Sequence, residues 1–113
     1  MSIQATLSTH VLNLDEGAPA SNLNIELRRL DAMGNRTEQL AQALTNEDGR
    51  AADWPQLDEG DYELCFQVSD WYQKQSVSCF YPRIRIEFTI DSSRHYHVPV
   101  LLNRFGFSSY RGS

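Results

Sequence analysis

Apolar residues occupy every second position in Arg83-Ile84-Arg85-Ile86-Glu87-Phe88-Thr89-Ile90, the period of a strand with one buried face. The pattern sets Ile84, Ile86, Phe88 and Ile90 inward. Tyr62-Glu63-Leu64-Cys65-Phe66-Gln67-Val68 alternates in the same way, with Tyr62, Leu64, Phe66 and Val68 on one side and Cys65 on the other. Leu23 to Arg28 repeats the alternation, whereas Ala5 to Asn13 and His95 to Asn103 are rich in strand formers but carry polar residues on both faces. Turn residues separate these runs at Asp15 to Pro19, Met33 to Asn35, Asn46 to Gly49, Asp58 to Asp61 and Asp91 to Ser93. The spacing predicts about eight short strands in an all-β sandwich or barrel, with no alternation of strand and helix. One short helix is expected at Ser69 to Gln75, with Ser69 or Asp70 as its cap.

Length narrows this further: 113 residues supply one core, so residues 1–113 are read as a single domain and a two-domain enzyme is excluded. With 15 acidic against 10 basic residues the formal charge is -5, the wrong sign for a nucleic-acid or anionic-membrane binder. The longest apolar run, Val98 to Leu102, is far short of the roughly 20 residues that cross a bilayer. The N-terminal residues lack a secretory pattern, and a cytoplasmic location is the expectation. Cys65 and Cys79 have neither CxxC spacing nor the density of a disulfide scaffold, and read as free thiols.

Candidate chemistry lies on the polar faces. If Leu7, Thr9 and Val11 point inward, His10 projects outward beside Ser8 and Leu12; if Tyr96, Val98, Val100 and Leu102 point inward, His95, His97, Pro99 and Leu101 project outward. For His95, next to a turn, a solvated surface imidazole is the expectation. His-x-His on a strand places two imidazoles on one face with about 6.5–7 Å between their Cα atoms, compatible with a metal, and His10 offers a third ligand. With no Cys pair and no HExxH helix, the metal reading ranks below proton transfer by neutral imidazoles. Ser, His and Asp are present without a GxSxG elbow, which disfavours covalent catalysis. Arg50, after the Asn46-Glu47-Asp48-Gly49 turn, is either a surface charge paired with Glu47 or Asp48, or a planar fork for a carboxylate or urate-like edge. The C-terminal residues Phe105 to Ser113 interleave aromatics with Gly and Ser, which suggests a docked tail.

Taken in order, Leu7-Ser8-Thr9-His10-Val11-Leu12, Asp48-Gly49-Arg50, His95-Tyr96-His97-Val98-Pro99 and a terminal Tyr110-Arg111-Gly112-Ser113 resemble the 5-hydroxyisourate hydrolase branch of the transthyretin-like family. Gly60 to Leu64 and Phe80 to Phe88 are similar to that family's fifth and sixth strands, so the resemblance runs from Leu7 to Ser113. It implies a two-sheet β-sandwich with one short helix after the fifth strand, assembled as a homotetramer, a dimer of dimers with active sites in the cleft between dimers. It also implies ring opening of 5-hydroxyisourate to 2-oxo-4-hydroxy-4-carboxy-5-ureidoimidazoline by water, without cofactor or metal. Carried over by motif, His10, Arg50 and His97 are catalytic, and Tyr110, Arg111, Gly112 and Ser113 complete the substrate pocket. Either His10 or His97 takes the proton from water while Arg50 binds the polarised carbonyl or urate-like edge. Asn13, Asn103-Arg104 and Phe105 to Ser109 depart from the family's usual residues and bear on assembly. The rival reading is a non-enzymatic small-ligand carrier of the same fold, whose channel would lack the two histidines, the arginine and the YRGS terminus. A generic sandwich interaction module explains the fold and none of the polar constellation.

Overall fold

Alternation along the chain becomes nine strands and one helix in a computed structural model that describes residues 2–113. The strands are β1 (Thr6–Asn13), β2 (Ala18–Pro19), β3 (Asn24–Leu30), β4 (Arg36–Leu44), β5 (Arg50–Ala51), β6 (Gly60–Phe66), β7 (Ile84–Ile90), β8 (His95–Asn103) and β9 (Gly106–Ser109). Nine strands stand where about eight were expected, and two of them, β2 and β5, are two-residue strands lying along one edge of β1. One sheet runs β2-β1-β8-β9 with β5 also on β1, and the other runs β4-β3-β6-β7. The arrangement is a two-sheet sandwich, as the resemblance implied and as one of the two architectures the pattern allowed.

The inward residues are those the period of two selects. Leu7, Thr9 and Val11 of β1 and Tyr96, Val98, Val100 and Leu102 of β8 are buried against Ile25 and Leu27 of β3, Leu64 and Phe66 of β6, and Ile84 and Ile90 of β7. Ile86 and Phe88 are half-buried, consistent with β7 forming an edge of its sheet. Strand β4 has a mostly exposed pattern with no apolar period, which is why its sequence gives no strand signal; cross-strand pairing with β3 holds it.

Three local expectations are corrected. The helix α1 spans Val68–Gln73, starting one residue before and ending two residues before the expected Ser69 to Gln75, so Val68 is its buried first residue and no part of a strand. Its N-terminus has no side-chain cap: Gln67 precedes it and neither Ser69 nor Asp70 bonds its free amides. It follows the sixth strand in chain order, where the resemblance implied the fifth. Burial of Tyr72 against the core replaces the missing cap as its anchor. Cys65 faces away from the intersheet core as read, yet is buried, because the outer face of β6 also carries Glu63, only 2% exposed in its side chain and paired with Arg36 at 3.0 Å and Arg85 at 3.7 Å. The arginine stems cover this face, and burial raises the Cys65 thiol above its ordinary pKa. Among the described residues both cysteines are free, and no helix is long and apolar enough to cross a membrane.

Candidate active site

Strand β1 lies between β8 on one side and β5 on the other, so the three segments singled out in the sequence meet on one outward face. The pairing of β1 with β8 is parallel, in the register Thr6 to His95, Ser8 to His97 and His10 to Pro99. Antiparallel β5 sets Arg50 opposite His10. Because side chains alternate, Thr6, Ser8 and His10 share their face with His95 and His97.

Arg50 is delivered by a turn built for close approach. Gly49 has φ +76°, and a Cβ there would lie 2.4 Å from the Val11 carbonyl oxygen, so only glycine lets the turn pack on β1. Asn46 ties the turn by accepting the Asp48 and Arg50 amides on its side-chain oxygen at 2.9 and 3.0 Å. Among the described residues the Arg50 guanidinium has no ion-pair partner, so the pairing with Glu47 or Asp48 weighed from sequence is absent and its fork remains available. His10 lies 2.8 Å from the Asp48 carbonyl oxygen through Nε2. A carbonyl only accepts, so Nε2–H donates and Nδ1 carries the lone pair of the neutral ring.

His97 is half-buried and held from two sides. Its Nδ1 lies 2.8 Å from the Ser8 hydroxyl, and its carbonyl accepts the Gly112 amide at 2.9 Å. Among the described residues Nε2 has no hydrogen-bond partner and stays free for chemistry. A Cβ on Gly112 would fall 2.5 Å from His97 Cδ2, so the imidazole packs on the bare backbone of the buried glycine. Gly112 therefore belongs to the terminal motif for a steric reason, and the tail is docked as its composition suggested. Burial chiefly, then the charges of Arg50, His10 and His95, holds the His97 pKa below the ordinary histidine value. It is thus neutral at physiological pH, the state a base requires.

Tyr110, Arg111 and Ser113 are exposed in the single chain. Tyr110 and Arg111 border a cleft of about 340 Å³ that opens between the β7 edge and the tail, and His97 also touches it. The face of His10 and Arg50 is open and lies outside that cleft. Among the described residues no group of three or more His, Cys, Asp or Glu is placed to hold a metal ion. His95 is exposed, as a surface imidazole should be, and it is also bonded: Nδ1 lies 2.7 Å from Thr6 Oγ1 and Nε2 lies 2.8 Å from Ser8 Oγ. Ser8 is read from sequence as an outward residue beside His10, but only the parallel register brings it and Thr6 to the histidines.

The chain as a whole matches a documented family. A family model described as HIUase/Transthyretin family matches residues 7–112. A 5-hydroxyisourate hydrolase of Salmonella dublin is 37% identical over 111 residues, covering 95% of this chain and 80% of the relative. The solved structure of Klebsiella pneumoniae 5-hydroxyisourate hydrolase is similar with TM-score 0.84 and 35% identity, covering 96% of this chain and 99% of that one. Transthyretin from Sparus aurata superimposes with TM-score 0.87 at 20% identity, covering 95% and 96%, which speaks for the fold alone. On these matches, spanning nearly its whole length, the chain belongs to the HIUase/transthyretin family.

Proposed function

We propose that this chain hydrolyses 5-hydroxyisourate, opening its six-membered ring to give 2-oxo-4-hydroxy-4-carboxy-5-ureidoimidazoline. The observation that carries the proposal is the convergence of His10, unpaired Arg50 and tail-clamped His97 on one face, in a chain whose full-length relatives are named for this activity.

His97 is the general base. Its environment keeps it neutral, Ser8 lies within hydrogen-bond distance of Nδ1, and Nε2, without a partner among the described residues, accepts the proton when Nδ1 carries the ring hydrogen. A water oxygen bonds to the ring carbonyl carbon while its proton passes to His97 Nε2. The charge that develops on the carbonyl oxygen is met by the Arg50 guanidinium, a cation already free of competing carboxylates. Collapse breaks the carbon–nitrogen bond, and the imidazolium returns its proton to the leaving nitrogen. His10, with Nε2 committed to Asp48, presents Nδ1 as an acceptor for the attacking water or a substrate N–H. No cofactor is needed, because the reaction only transfers protons and adds water.

A single chain leaves this face exposed, and strong electrostatic stabilisation needs a site shielded from bulk water. A homotetramer in which the β1–β8 faces of two dimers meet would enclose it, with Tyr110, Arg111 and Ser113 as walls; this assembly is part of the proposal. The carrier reading leaves the histidine pair, the unpaired arginine and the steric fit of Gly112 without a purpose.

The test generates 5-hydroxyisourate in situ from urate with urate oxidase and follows its ultraviolet decay. Acceleration by wild type that is lost in His97→Asn and Arg50→Gln supports the hydrolase. Decay at the spontaneous rate with a folded wild-type protein overturns it.

A further inference from the structure

We infer that His95 is a positioning residue for His97, acting through the Ser8 hydroxyl that sits between the two imidazoles; the inference rests on the reading of His97 as the base. Four side chains form a continuous hydrogen-bonded row across the paired strands. Thr6 Oγ1 is 2.7 Å from His95 Nδ1, Ser8 Oγ is 2.8 Å from His95 Nε2, and the same Ser8 Oγ is 2.8 Å from His97 Nδ1. The parallel register makes this possible by setting Thr6 beside His95 and Ser8 beside His97, so that hydroxyls and imidazoles alternate.

Proton counting gives the row its consequence. A serine hydroxyl has one hydrogen and can donate to only one of its two imidazole neighbours. With neutral rings the row runs in one of two senses. In the first, His97 Nδ1–H donates to Ser8, Ser8 O–H donates to His95 Nε2, and His95 Nδ1–H donates to Thr6. This sense leaves the outward His97 Nε2 as a lone pair, ready to take a proton from water. In the second, Thr6 donates to His95 Nδ1, His95 Nε2–H to Ser8 and Ser8 to His97 Nδ1, which puts the hydrogen on Nε2 and disables the base. His95 therefore offers Ser8 the acceptor that the productive sense requires. It touches neither substrate nor reacting atoms, and no net proton moves along the row during turnover.

His95 is exposed in the single chain, so its replacement removes no contact of the intersheet core. Full-length wild type, His95→Phe, His95→Gln, Ser8→Ala and the Ser8→Ala/His95→Phe double variant are compared by two readouts: nitrogen-15 chemical shifts of the His97 ring, and kcat and KM for 5-hydroxyisourate. The wild-type ring should show a protonated Nδ1. His95→Phe and Ser8→Ala should each move the His97 nitrogens toward mixed tautomers and lower kcat about 3- to 10-fold, the scale of one lost hydrogen bond, while KM stays within about 2-fold. His95→Gln, whose amide carbonyl can accept from Ser8, should recover most of the loss. The double variant should match Ser8→Ala alone, because His95 acts only through that hydroxyl. Unchanged His97 shifts and kcat in His95→Phe, or losses that multiply in the double variant, would overturn the inference. A wild type without hydrolase activity sinks the functional reading instead, and the nitrogen shifts still decide whether His95 sets the tautomer.

Discussion

Substituting Gly112 with alanine adds one methyl group at the point where the tail meets the candidate base. That carbon would lie 2.5 Å from His97 Cδ2 and 3.1 Å from its Cβ and Cγ. Comfortable carbon–carbon contact begins near about 3.5 Å, so ring and tail must separate by about 1 Å. Two responses are open: the His97 ring turns away from its Ser8 bond, or the tail lifts and gives up the single amide bond from Gly112 to the His97 carbonyl. Either displaces the proposed base or its wall by about 1 Å, a misplacement that costs on the order of 100-fold in rate. Stability should suffer little, since one hydrogen bond near the chain end contributes about 1 kcal/mol. Gly34→Ala is the matched control, because a Cβ there meets nothing within 4 Å and only the φ of +84° is penalised. The expected result is a large loss of 5-hydroxyisourate decay rate for Gly112→Ala with a nearly unchanged melting temperature, and the reverse for Gly34→Ala. A Gly112→Ala protein with kcat/KM within about 2-fold of wild type would refute the claim that the tail positions His97.

Gly49→Ala should be more damaging, because its Cβ meets a rigid backbone oxygen at 2.4 Å and its φ is +76°; a loss of about 3 kcal/mol in urea unfolding together with loss of activity is expected. For pH, the depressed His97 value places the acid limb of kcat/KM below the ordinary histidine value of about 6.5, and a limb centred at or above that value counts against His97 as the base. The same depression means that the unfolded chain binds this proton first, so the stability it contributes is present above about pH 6.5 and declines as pH falls; wild type should lose stability relative to His97→Asn between pH 7 and 5. Asn13→Asp should destabilise by about 1–2 kcal/mol at pH 7 and recover toward pH 3, since Asn13 donates to Glu16 at 3.0 Å and accepts the Tyr72 hydroxyl alongside Asp15, and a third carboxylate there is repelled. Equal urea midpoints for the two proteins at pH 7 would refute it.

Strand period made the sandwich legible, because Ile84, Ile90, Leu64 and Val100 had to share buried faces. The outward placement of His10, His95 and His97 followed from the same period. Register did not, since nothing in β1 or β8 alone states that they pair in parallel with Ser8 opposite His97. The hydroxyls between the histidines are therefore invisible as a connected row in the sequence, and His95 reads there as a solvated surface imidazole. Strand β4 was missed because tertiary pairing with β3 holds a segment whose own pattern is polar. The helix began early because burial of Val68 and Tyr72 outweighs the capping preference of Ser69 or Asp70. Gly112 carried no signal of its own, since the clash that requires it involves a ring fifteen positions away.

The parallel seam between β1 and β8 also sets when the site can exist during the life of the chain. Ser8 and His97 are separated by 89 positions, and Thr6 and His95 by the same interval. Closing so large a loop is entropically slow, and it follows the local hairpins such as β3 with β4. On the ribosome, β1 emerges first and must wait with one edge unsatisfied until nearly all of the remaining chain has been made. The candidate catalytic face is thus the last surface completed, and a nascent chain stalled before His97 would display an open strand edge where the finished protein has its histidines.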